Sequence, residues 1–221
     1  FMGAHAFPPE YQGNQPKYID LICEEMIPAV AEEKLAEYCD VFCENGYFST
    51  SESLRILETA KQYGLIPRIH ADEFEDSGAA SLAATVGAVS ADHLMTVSET
   101  GMLAMAKKGV MATLLPGTTL FLGKRNYASG RKMIDSGCEV ALATDFNPGS
   151  CTIQSMPLII SIANLYCGLT IEEAFKAVTI NSAKAINMQD KIGLIKKGYQ
   201  ADLLFWNIES IDEIPYWIGT D

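Results

Sequence analysis

One local pattern recurs along the chain and limits the folds open to it. A short apolar run rich in β-branched residues is followed by a polar turn and then by a segment with helical periodicity. Five such runs are predicted as strands, at residues 40–44, 66–71, 88–93, 110–115 and 139–144. The steps are 25, 22, 22 and 30 residues when they are measured between Val41, Ile66, Ala88, Val110 and Val140. Strands that alternate with helices at this spacing predict βαβ crossovers and a parallel sheet.

Glycine ends the predicted helices between these strands. The helices are predicted at 53–63, 79–86, 100–107 and 129–135, and each is followed by one of Gly64, Gly87, Gly109 and Gly137. Glycine closes a helix readily because it takes the left-handed conformation without strain. The repeated order of helix, glycine and strand is expected of a (β/α) barrel or a doubly wound sheet.

The last part of the chain departs from this repeat. Residues 170–185 are predicted as an amphipathic helix with Thr170 as its N-cap. Residues 193–207 then alternate between apolar and polar side chains, with Gly198 at a turn. This segment is predicted to be a strand of a separate β element.

Charge and composition exclude several classes of function. The chain contains 16 Lys and Arg and 28 Asp and Glu, which gives a net charge of −12, and its basic residues are not clustered. A nucleic-acid partner is therefore not expected. The longest apolar runs are far shorter than the roughly 20 residues of a membrane span. Six cysteines form no C-x-x-C pair, which predicts buried, reduced thiols in a cytoplasmic protein.

The three histidines all sit at the carboxyl ends of predicted strands. In parallel α/β folds the active site lies at the carboxyl ends of the strands, where polar side chains converge. We therefore expect the histidines to belong to one functional cluster. The predicted ends are Gly3-Ala4-His5-Ala6, Cys43-Glu44-Asn45, Ile69-His70-Ala71-Asp72-Glu73, Ala91-Asp92-His93 and Ala143-Thr144-Asp145-Phe146-Asn147.

Two of these ends offer the chemistry of a metal site. His70 precedes Asp72 and Glu73, and this grouping suits a metal ligand with acid and base neighbours. The structural alternative for His70, and equally for His93, is a strand-end histidine that hydrogen bonds to a loop. Asp145 ends an apolar strand, where an ionised carboxylate needs a cation or several N–H donors. A helix N-cap is the alternative for Asp145.

The turn after Asp145 is a candidate anion site. Pro148 and Gly149 predict a tight turn, and residues 150–152 are predicted to open the next helix. Free N–H groups at that helix start would suit a carboxylate or a phosphate. The segment is not a P-loop, because no lysine follows the turn.

These segments resemble, in order and spacing, those of the amidohydrolase superfamily. The resemblance is greatest to members that hydrolyse the cyclic amide 4-imidazolone-5-propanoate to N-formimino-L-glutamate in histidine degradation. The resemblance covers nearly the whole chain. Its most specific part is the occurrence of both His70-Ala71-Asp72-Glu73 and the segment that begins at Ala143. The segments are Gly3-Ala4-His5-Ala6, His70-Ala71-Asp72-Glu73, Ser90-Ala91-Asp92-His93-Leu94, Thr113-Leu114-Leu115-Pro116-Gly117-Thr118 and Ala143-Thr144-Asp145-Phe146-Asn147-Pro148-Gly149-Ser150.

The resemblance implies a metal-dependent hydrolase with a (β/α)8 TIM barrel and one divalent metal, zinc or iron. It implies that His70 and Asp145 are metal ligands and that Asp145 is also the base for the attacking water. Glu73 and His93 match catalytic residues that contact the substrate ring and assist proton transfer. The remaining substrate-binding positions, besides Glu73, are His5, Asn147, Gly149 and Ser150.

The chain departs from the family pattern in one respect. The family carries a His-x-His metal-binding pair on its first strand, and this sequence contains none. We therefore expect a fragment that supplies strands three or four to eight of the barrel as residues 1–188. Residues 189–221 are then expected to be a C-terminal β-element of a small composite β-sandwich. The 221 residues alone are expected to be inactive and poorly soluble.

The resemblance also implies that the full-length protein acts on a small molecule as a homodimer. Two other functions remain open at this point. One is a different cyclic amidohydrolase or a deaminase of the same superfamily, against which only Glu73, His5 and the Asn147 turn argue. The other is a barrel fragment that binds or scaffolds without catalysis.

Overall fold

The computed structural model describes residues 1–218, which fall into two compact units that divide after Val110. Each unit is built from parallel strands joined by helices. The strands are β1 (Tyr38–Cys43), β2 (Ile66–Ala71), β3 (Ser90–His93), β4 (Met111–Leu114) and β5 (Val140–Leu142). The helices are α1 (Gln15–Leu21), α2 (Ile27–Glu32), α3 (Thr50–Gln62), α4 (Ala79–Val86), α5 (Glu99–Lys108), α6 (Pro116–Phe121), α7 (Gly130–Asp135), α8 (Met156–Tyr166), α9 (Ile171–Lys176), α10 (Ser182–Ala185) and α11 (Glu213–Tyr216).

Three shorter helical segments complete the description of the chain. A single 3-10 turn covers Pro9–Tyr11. Two π-helical turns, Ile22–Met26 and Ala177–Asn181, join α1 to α2 and α9 to α10. Both helical stretches therefore continue through a π turn instead of breaking.

The first unit places β1, β2 and β3 side by side in parallel. In the register of the strands, Val41 lies opposite Ile69, and Ile69 lies opposite Ala91. The chain start extends this layer, because the N–H of Phe42 donates to the carbonyl of Ala4 at 2.9 Å. His5 is thereby placed next to the middle of β1.

Helix α3 shows why the crossovers form where the sequence predicts them. Ser49 and Glu52 make a capping box at its start, which satisfies two backbone donors. Ile56 and Leu57 are fully buried on its inner face. The chain then turns at Gly64, whose φ of +84° is a conformation that glycine adopts without strain.

The burial pattern of β2 separates the two faces of the first unit. Pro67, Ile69 and Ala71 are buried, whereas the alternate residues, which include Arg68 and His70, are partly accessible. Because successive side chains of a strand point to opposite faces, His70 lies on the face away from the buried apolar layer.

The second unit pairs β4 with β5 in parallel, with Ala112 opposite Val140. The π turn and α10 anchor to β5 through side chains. The Asn181 amide donates to the carbonyl of Val140 at 2.8 Å, and the Ser182 hydroxyl donates to that of Leu142 at 3.0 Å. These hydrogen bonds fix the helical stretch against the strand that leads to Asp145.

Most of the sequence-based elements are confirmed. All five predicted strands are present within three residues of their expected bounds, and the helices predicted before Gly64, Gly87, Gly109 and Gly137 are present. Helix α6 was not predicted. The helix expected to open at residues 150–152 instead begins at Met156, because Ser155 caps it by accepting the N–H of Leu158.

The strand predicted at residues 193–207 does not form. No strand is assigned to these residues, and the large side chains of Ile195, Leu204 and Phe205 are 90%, 81% and 94% exposed. A strand needs a hydrogen-bonding neighbour, and the alternation of apolar and polar residues cannot supply one. The alternating pattern therefore favours a strand at residues 193–207, but the described residues form none there.

Two further findings concern the chain as a whole. All six cysteines are buried and free, as the sequence predicted. Among the described residues, no helix has the length and apolar character needed to cross a bilayer.

Candidate active site

Two histidines and an aspartate meet at one carboxylate oxygen in the first unit. Asp40 Oδ1 lies 3.0 Å from His70 Nδ1 and 3.5 Å from His5 Nε2. The contact with His70 is a hydrogen bond, whereas the Nε2 atom of His5 is buried and makes none. The imidazole rings of His5 and His70 are 4.6 Å apart between centroids.

The donor set of this cluster suits a divalent metal. The three candidate ligand atoms of His5, Asp40 and His70 all lie within 4.8 Å of one another. Imidazole nitrogens and carboxylate oxygens are the common protein ligands of zinc and iron. The residues present therefore fit the kind of metal that the sequence analysis expected.

Asp40 is ionised in this environment. Burial is the largest influence on it and opposes ionisation, but the contacts with His5 and His70 outweigh that effect and hold the pKa of Asp40 below its usual range. Sequence reasoning did not single out Asp40. The available signal was a charged residue inside a strand whose following residues, Val41, Phe42 and Cys43, are apolar, since such a position seldom holds an unpaired carboxylate.

His93 and Glu73 form a second buried contact beside this cluster. His93 Nε2 lies 3.7 Å from Glu73 Oε2, and the two residues are only 3% and 7% exposed. Burial, followed by the charge of nearby His70, lowers the pKa of His93 to about 3, so this imidazole is neutral at neutral pH. Its Nδ1 atom is buried without a hydrogen-bond partner in the described structure, which is unusual for a polar atom in a protein interior.

Buried carboxylates hold the loop that carries Glu73. The Glu44 carboxylate accepts the backbone N–H groups of Glu73 and Phe74 at 2.8 and 2.9 Å. Asp72 accepts the N–H groups of Ala79 and Ala80 at the start of α4. The loop after β2 is thus fixed at both ends, and Glu73 is positioned by its backbone.

Asp145 is held by a threonine in the second unit. Thr118 Oγ1 donates to Asp145 Oδ2 at 2.5 Å, and Thr118 itself is fully buried. Asp145 does not cap a helix, since α8 begins at Met156 with Ser155 as its cap. The N-cap alternative for Asp145 is therefore wrong, and Thr118 is a contact that sequence reasoning did not identify.

The turn after Asp145 is closed by its own hydrogen bonds. Asn147 Oδ1 accepts the N–H groups of Gly149 and Ser150 at 2.9 and 2.8 Å, and the Asn147 amide donates to the carbonyl of Asp145 at 2.7 Å. The N–H groups of Gly149 and Ser150 are therefore engaged within the turn. The turn instead fixes the backbone on which Asp145 sits.

The structure thus brings together the predicted residues of each unit separately. In the first unit, His5, His70 and His93 form one cluster with Glu73, and the rings of His70 and His93 are 5.1 Å apart between centroids. In the second unit, Asp145 adjoins the turn that contains the three other predicted residues, Asn147, Gly149 and Ser150.

Solved structures with a similar fold are metal-dependent hydrolases and deaminases. An adenosine deaminase from Xanthomonas campestris with bound zinc matches 90% of this chain and 50% of its own, with a TM-score of 0.68 and 19% identity. The 5-methylcytosine deaminase from Klebsiella pneumoniae matches 91% of this chain and 55% of its own, with a TM-score of 0.73 and 18% identity. This likeness confirms the predicted fold class, an α/β chain of the TIM-barrel type seen in metal hydrolases.

Curated relatives are much more similar in sequence. The imidazolonepropionase of Bacteroides thetaiotaomicron is 51% identical over 219 residues, which are 99% of this chain and 52% of that protein. The imidazolonepropionase of Clostridium tetani is 52% identical over 221 residues, again 52% of its length. The chain therefore spans about half the length of the curated relatives it matches.

A family model gives the wider assignment. The model described as the amidohydrolase family matches residues 23–219, nearly the whole of the chain. Its match includes β1 to β5 and every candidate site residue except His5. The chain belongs to the amidohydrolase family.

Proposed function

We propose that the full-length protein containing this chain is an imidazolonepropionase, which hydrolyses 4-imidazolone-5-propanoate to N-formimino-L-glutamate. The observation that carries this proposal is the 51% identity to a curated imidazolonepropionase across 99% of the chain. The clustered histidines and carboxylates at the ends of parallel strands support it, because that is where α/β enzymes place their active sites.

His70 and Asp145 are proposed as ligands of one zinc or iron ion. His70 is the second-last residue of β2, Asp145 lies three residues after β5, and each supplies a ligand atom that suits either metal. Protein zinc sites have three or four protein ligands, and this sequence contains no His-x-His pair. We propose that the remaining ligands lie outside these 221 residues. When bound, the metal lowers the pKa of a water molecule and so supplies hydroxide near neutral pH.

The residues of the chain then divide the proton transfers. Asp145 Oδ1 is proposed to take a proton from the attacking water, while Thr118 holds Oδ2. The water oxygen bonds to the ring carbonyl carbon, and the carbon–nitrogen bond of the cyclic amide breaks. Glu73 orients the ring and helps to move the proton taken from water to the leaving nitrogen, and neutral His93 donates a hydrogen bond to the developing oxyanion.

Substrate binding is proposed for His5, Asn147, Gly149 and Ser150, together with Glu73. His5 lies beside His70. The turn at Asn147 is rigid because the side-chain amide of Asn147 donates to the carbonyl of Asp145 and accepts the N–H of Gly149. A preformed turn costs little entropy on binding, which supports a positioning role for these residues.

The experiment compares cyclic substrates with the full-length protein. Turnover of 4-imidazolone-5-propanoate is monitored through the loss of its ultraviolet absorbance. We expect its kcat/KM to be at least about 1,000-fold above the values for hydantoin, cytosine and dihydroorotate. Preferred turnover of any of those three compounds would assign the chain to another cyclic amidohydrolase or deaminase. Absence of turnover with all four would favour a binding or scaffold role.

We further propose a homodimer in the cytoplasm that acts on a small molecule without nucleic acid. The net charge of −12 supports the exclusion of nucleic acid, and the six buried reduced cysteines support a reducing compartment. Sedimentation of the full-length protein measures the oligomeric state, and a mass of two chains is expected.

A further inference from the structure

Asp40 lies in the middle of a strand and faces two of the three histidines. We propose that Asp40 is a positioning residue that fixes the orientation and the tautomer of His70, so that His70 presents Nε2 to the metal. This inference rests on the proposed function only in taking His70 as a metal ligand. Its other content concerns which ring nitrogen of His70 carries the proton.

The direction of the hydrogen bond determines that proton's position. An ionised carboxylate has no hydrogen to donate, so it can only accept. Asp40 Oδ1 lies 3.0 Å from His70 Nδ1, and in the proposed tautomer Nδ1 is the donor of this hydrogen bond. A neutral imidazole protonated at Nδ1 has its lone pair at Nε2, which is the atom that can bind a metal.

Asp40 Oδ1 lies within 3.5 Å of both imidazoles, whereas the ion pair of the arginine on the next strand is with another carboxylate. Arg68 lies opposite Asp40 in the strand register, but its guanidinium forms an ion pair with Asp92, with Nη2 and Oδ2 3.0 Å apart. Asp40 is 8% exposed, and a carboxylate so buried needs strong compensation. Its carboxylate contacts the imidazoles of His70 and His5.

The backbone around Asp40 is rigid enough for this role. Asp40 is part of β1, which pairs along its whole length with β2, and the N–H of Asp40 donates to the carbonyl of Phe1 at 2.9 Å. His70 lies on the neighbouring strand, two residues beyond the position opposite Asp40. A carboxylate held on one strand can thus orient a ring held on the next.

Direct binding of a metal by Asp40 is the competing arrangement, since its oxygen lies close to both imidazoles. The two arrangements differ in the metal-free protein. A positioning residue sets the His70 tautomer before any metal binds, whereas a residue that only ligates the metal does not need to. The deciding measurement is therefore made without metal.

The test uses Asp40→Ala and Asp40→Asn in the full-length protein, with Asp92→Asn as the matched control for loss of a buried carboxylate on the same face. Two-bond nitrogen–proton spectra of metal-free protein at pH 8 report the tautomer of each histidine. We expect His70 as the Nδ1–H form in the wild type and in Asp92→Asn, and a shift toward the Nε2–H form in Asp40→Ala. Zinc affinity, measured by competition with a chelator, is expected to fall about 10- to 100-fold in Asp40→Ala and by a smaller factor in Asp40→Asn, whose amide oxygen still accepts a hydrogen bond.

Two outcomes would overturn the inference. An unchanged His70 tautomer in Asp40→Ala excludes positioning, and if zinc affinity falls in that case, Asp40 is a direct ligand. Zinc affinity within twofold of the wild type in both Asp40 variants also excludes a positioning role for Asp40. If Asp40→Ala fails to fold, the zinc affinity of Asp40→Asn is compared with that of the wild type instead. The tautomer measurement requires no substrate, so it stands even if the protein does not hydrolyse the imidazolone.

Discussion

At the scale of single residues, four of the six described non-glycine residues with a positive φ lie in or next to the candidate site, and the other two are Lys34 and Asn187. Asp72, His93, Leu94 and Asp145 all have positive φ angles, between +50° and +78°, although none is glycine. Such conformations cost about 1–3 kcal/mol each and persist only where the surroundings enforce them. Three of these four residues carry titratable side chains at strand ends, which agrees with a functional reason for the strain.

Asp145→Asn in the full-length protein tests the proposed base. The amide keeps the shape of the side chain and can still accept the Thr118 hydroxyl, but it cannot take a proton from water. We expect kcat to fall by at least about 1,000-fold with an unchanged melting temperature. Thr118→Val, which leaves the carboxylate in place, should retain more activity than Asp145→Asn. Near-normal turnover in Asp145→Asn would refute the role of Asp145 as base.

Buried thiols give the chain a defined sensitivity to alkaline pH. Burial raises the pKa of Cys167 from 9.0 to about 12, so the folded state keeps this thiol protonated. The contribution of the protonated Cys167 thiol to the free energy of unfolding is fully present below pH 9. It is lost as the pH rises toward 12, because between these values the thiol ionises only in the unfolded chain. The stability difference between the wild type and Cys167→Ala should therefore narrow by up to about 1.4 kcal/mol for each pH unit from 9 to 11. Urea unfolding at four pH values measures this difference, and a constant difference would contradict the account.

At the scale of elements, the loop between β2 and α4 is organised by one buried aspartate. Asp72 is fully buried, and its Oδ1 and Oδ2 atoms accept the N–H groups of Ala79 and Ala80 at 3.0 Å. Burial raises the pKa of the Asp72 carboxyl, while these hydrogen bonds oppose the shift. The start of α4 therefore depends on a side chain that lies one residue from Glu73.

Asp72→Ala should destabilise this element strongly. Removing the carboxylate leaves several buried N–H groups without acceptors, and we expect the free energy of unfolding to fall by about 3 kcal/mol. Asp76→Ala makes the same charge change at an exposed position of the same loop and should cost less than about 0.5 kcal/mol. Urea denaturation of both variants decides the matter, and equal losses would show that Asp72 does not hold α4.

The segment at residues 193–207 is expected to change with its context. We propose that residues 189–221 join a small composite β-sandwich in the full-length protein, apart from the barrel portion at 1–188. Amide protons of 201–207 should then exchange within seconds in the isolated chain and at least about 100-fold more slowly in the full-length protein. Amides of β2 serve as the control and should be protected in both. Equal exchange of 201–207 in the two proteins would refute the proposal.

Local patterns explain which elements could be predicted from the sequence. The strands and the glycine-ended helices follow from side-chain periodicity and turn chemistry, which are properties of short windows. Asp40 and Thr118 could not be identified that way, because their partners lie 30 and 27 residues along the chain. The failure at 193–207 has the same origin, since a strand depends on a neighbour that its own sequence does not specify.

At the scale of the whole molecule, the 221 residues are expected to be inactive and poorly soluble alone. Large apolar side chains such as Phe205, which is 94% exposed, favour association between copies. Two proposed metal ligands in this chain are too few for a tight site. The activity is therefore proposed for the full-length protein. This chain covers 52% of the length of the curated relative from Bacteroides thetaiotaomicron.

Metal-dependent hydrolysis of 4-imidazolone-5-propanoate can be tested by a metal titration. The full-length protein is stripped of metal, zinc is added in increments, and the initial rate of imidazolone hydrolysis is recorded at each step. We expect the rate to rise linearly from near zero and to reach a plateau at one equivalent of zinc per chain, with Asp145→Asn remaining inactive throughout. A full rate in the metal-free protein, or no hydrolysis after either zinc or iron is supplied, would contradict the account.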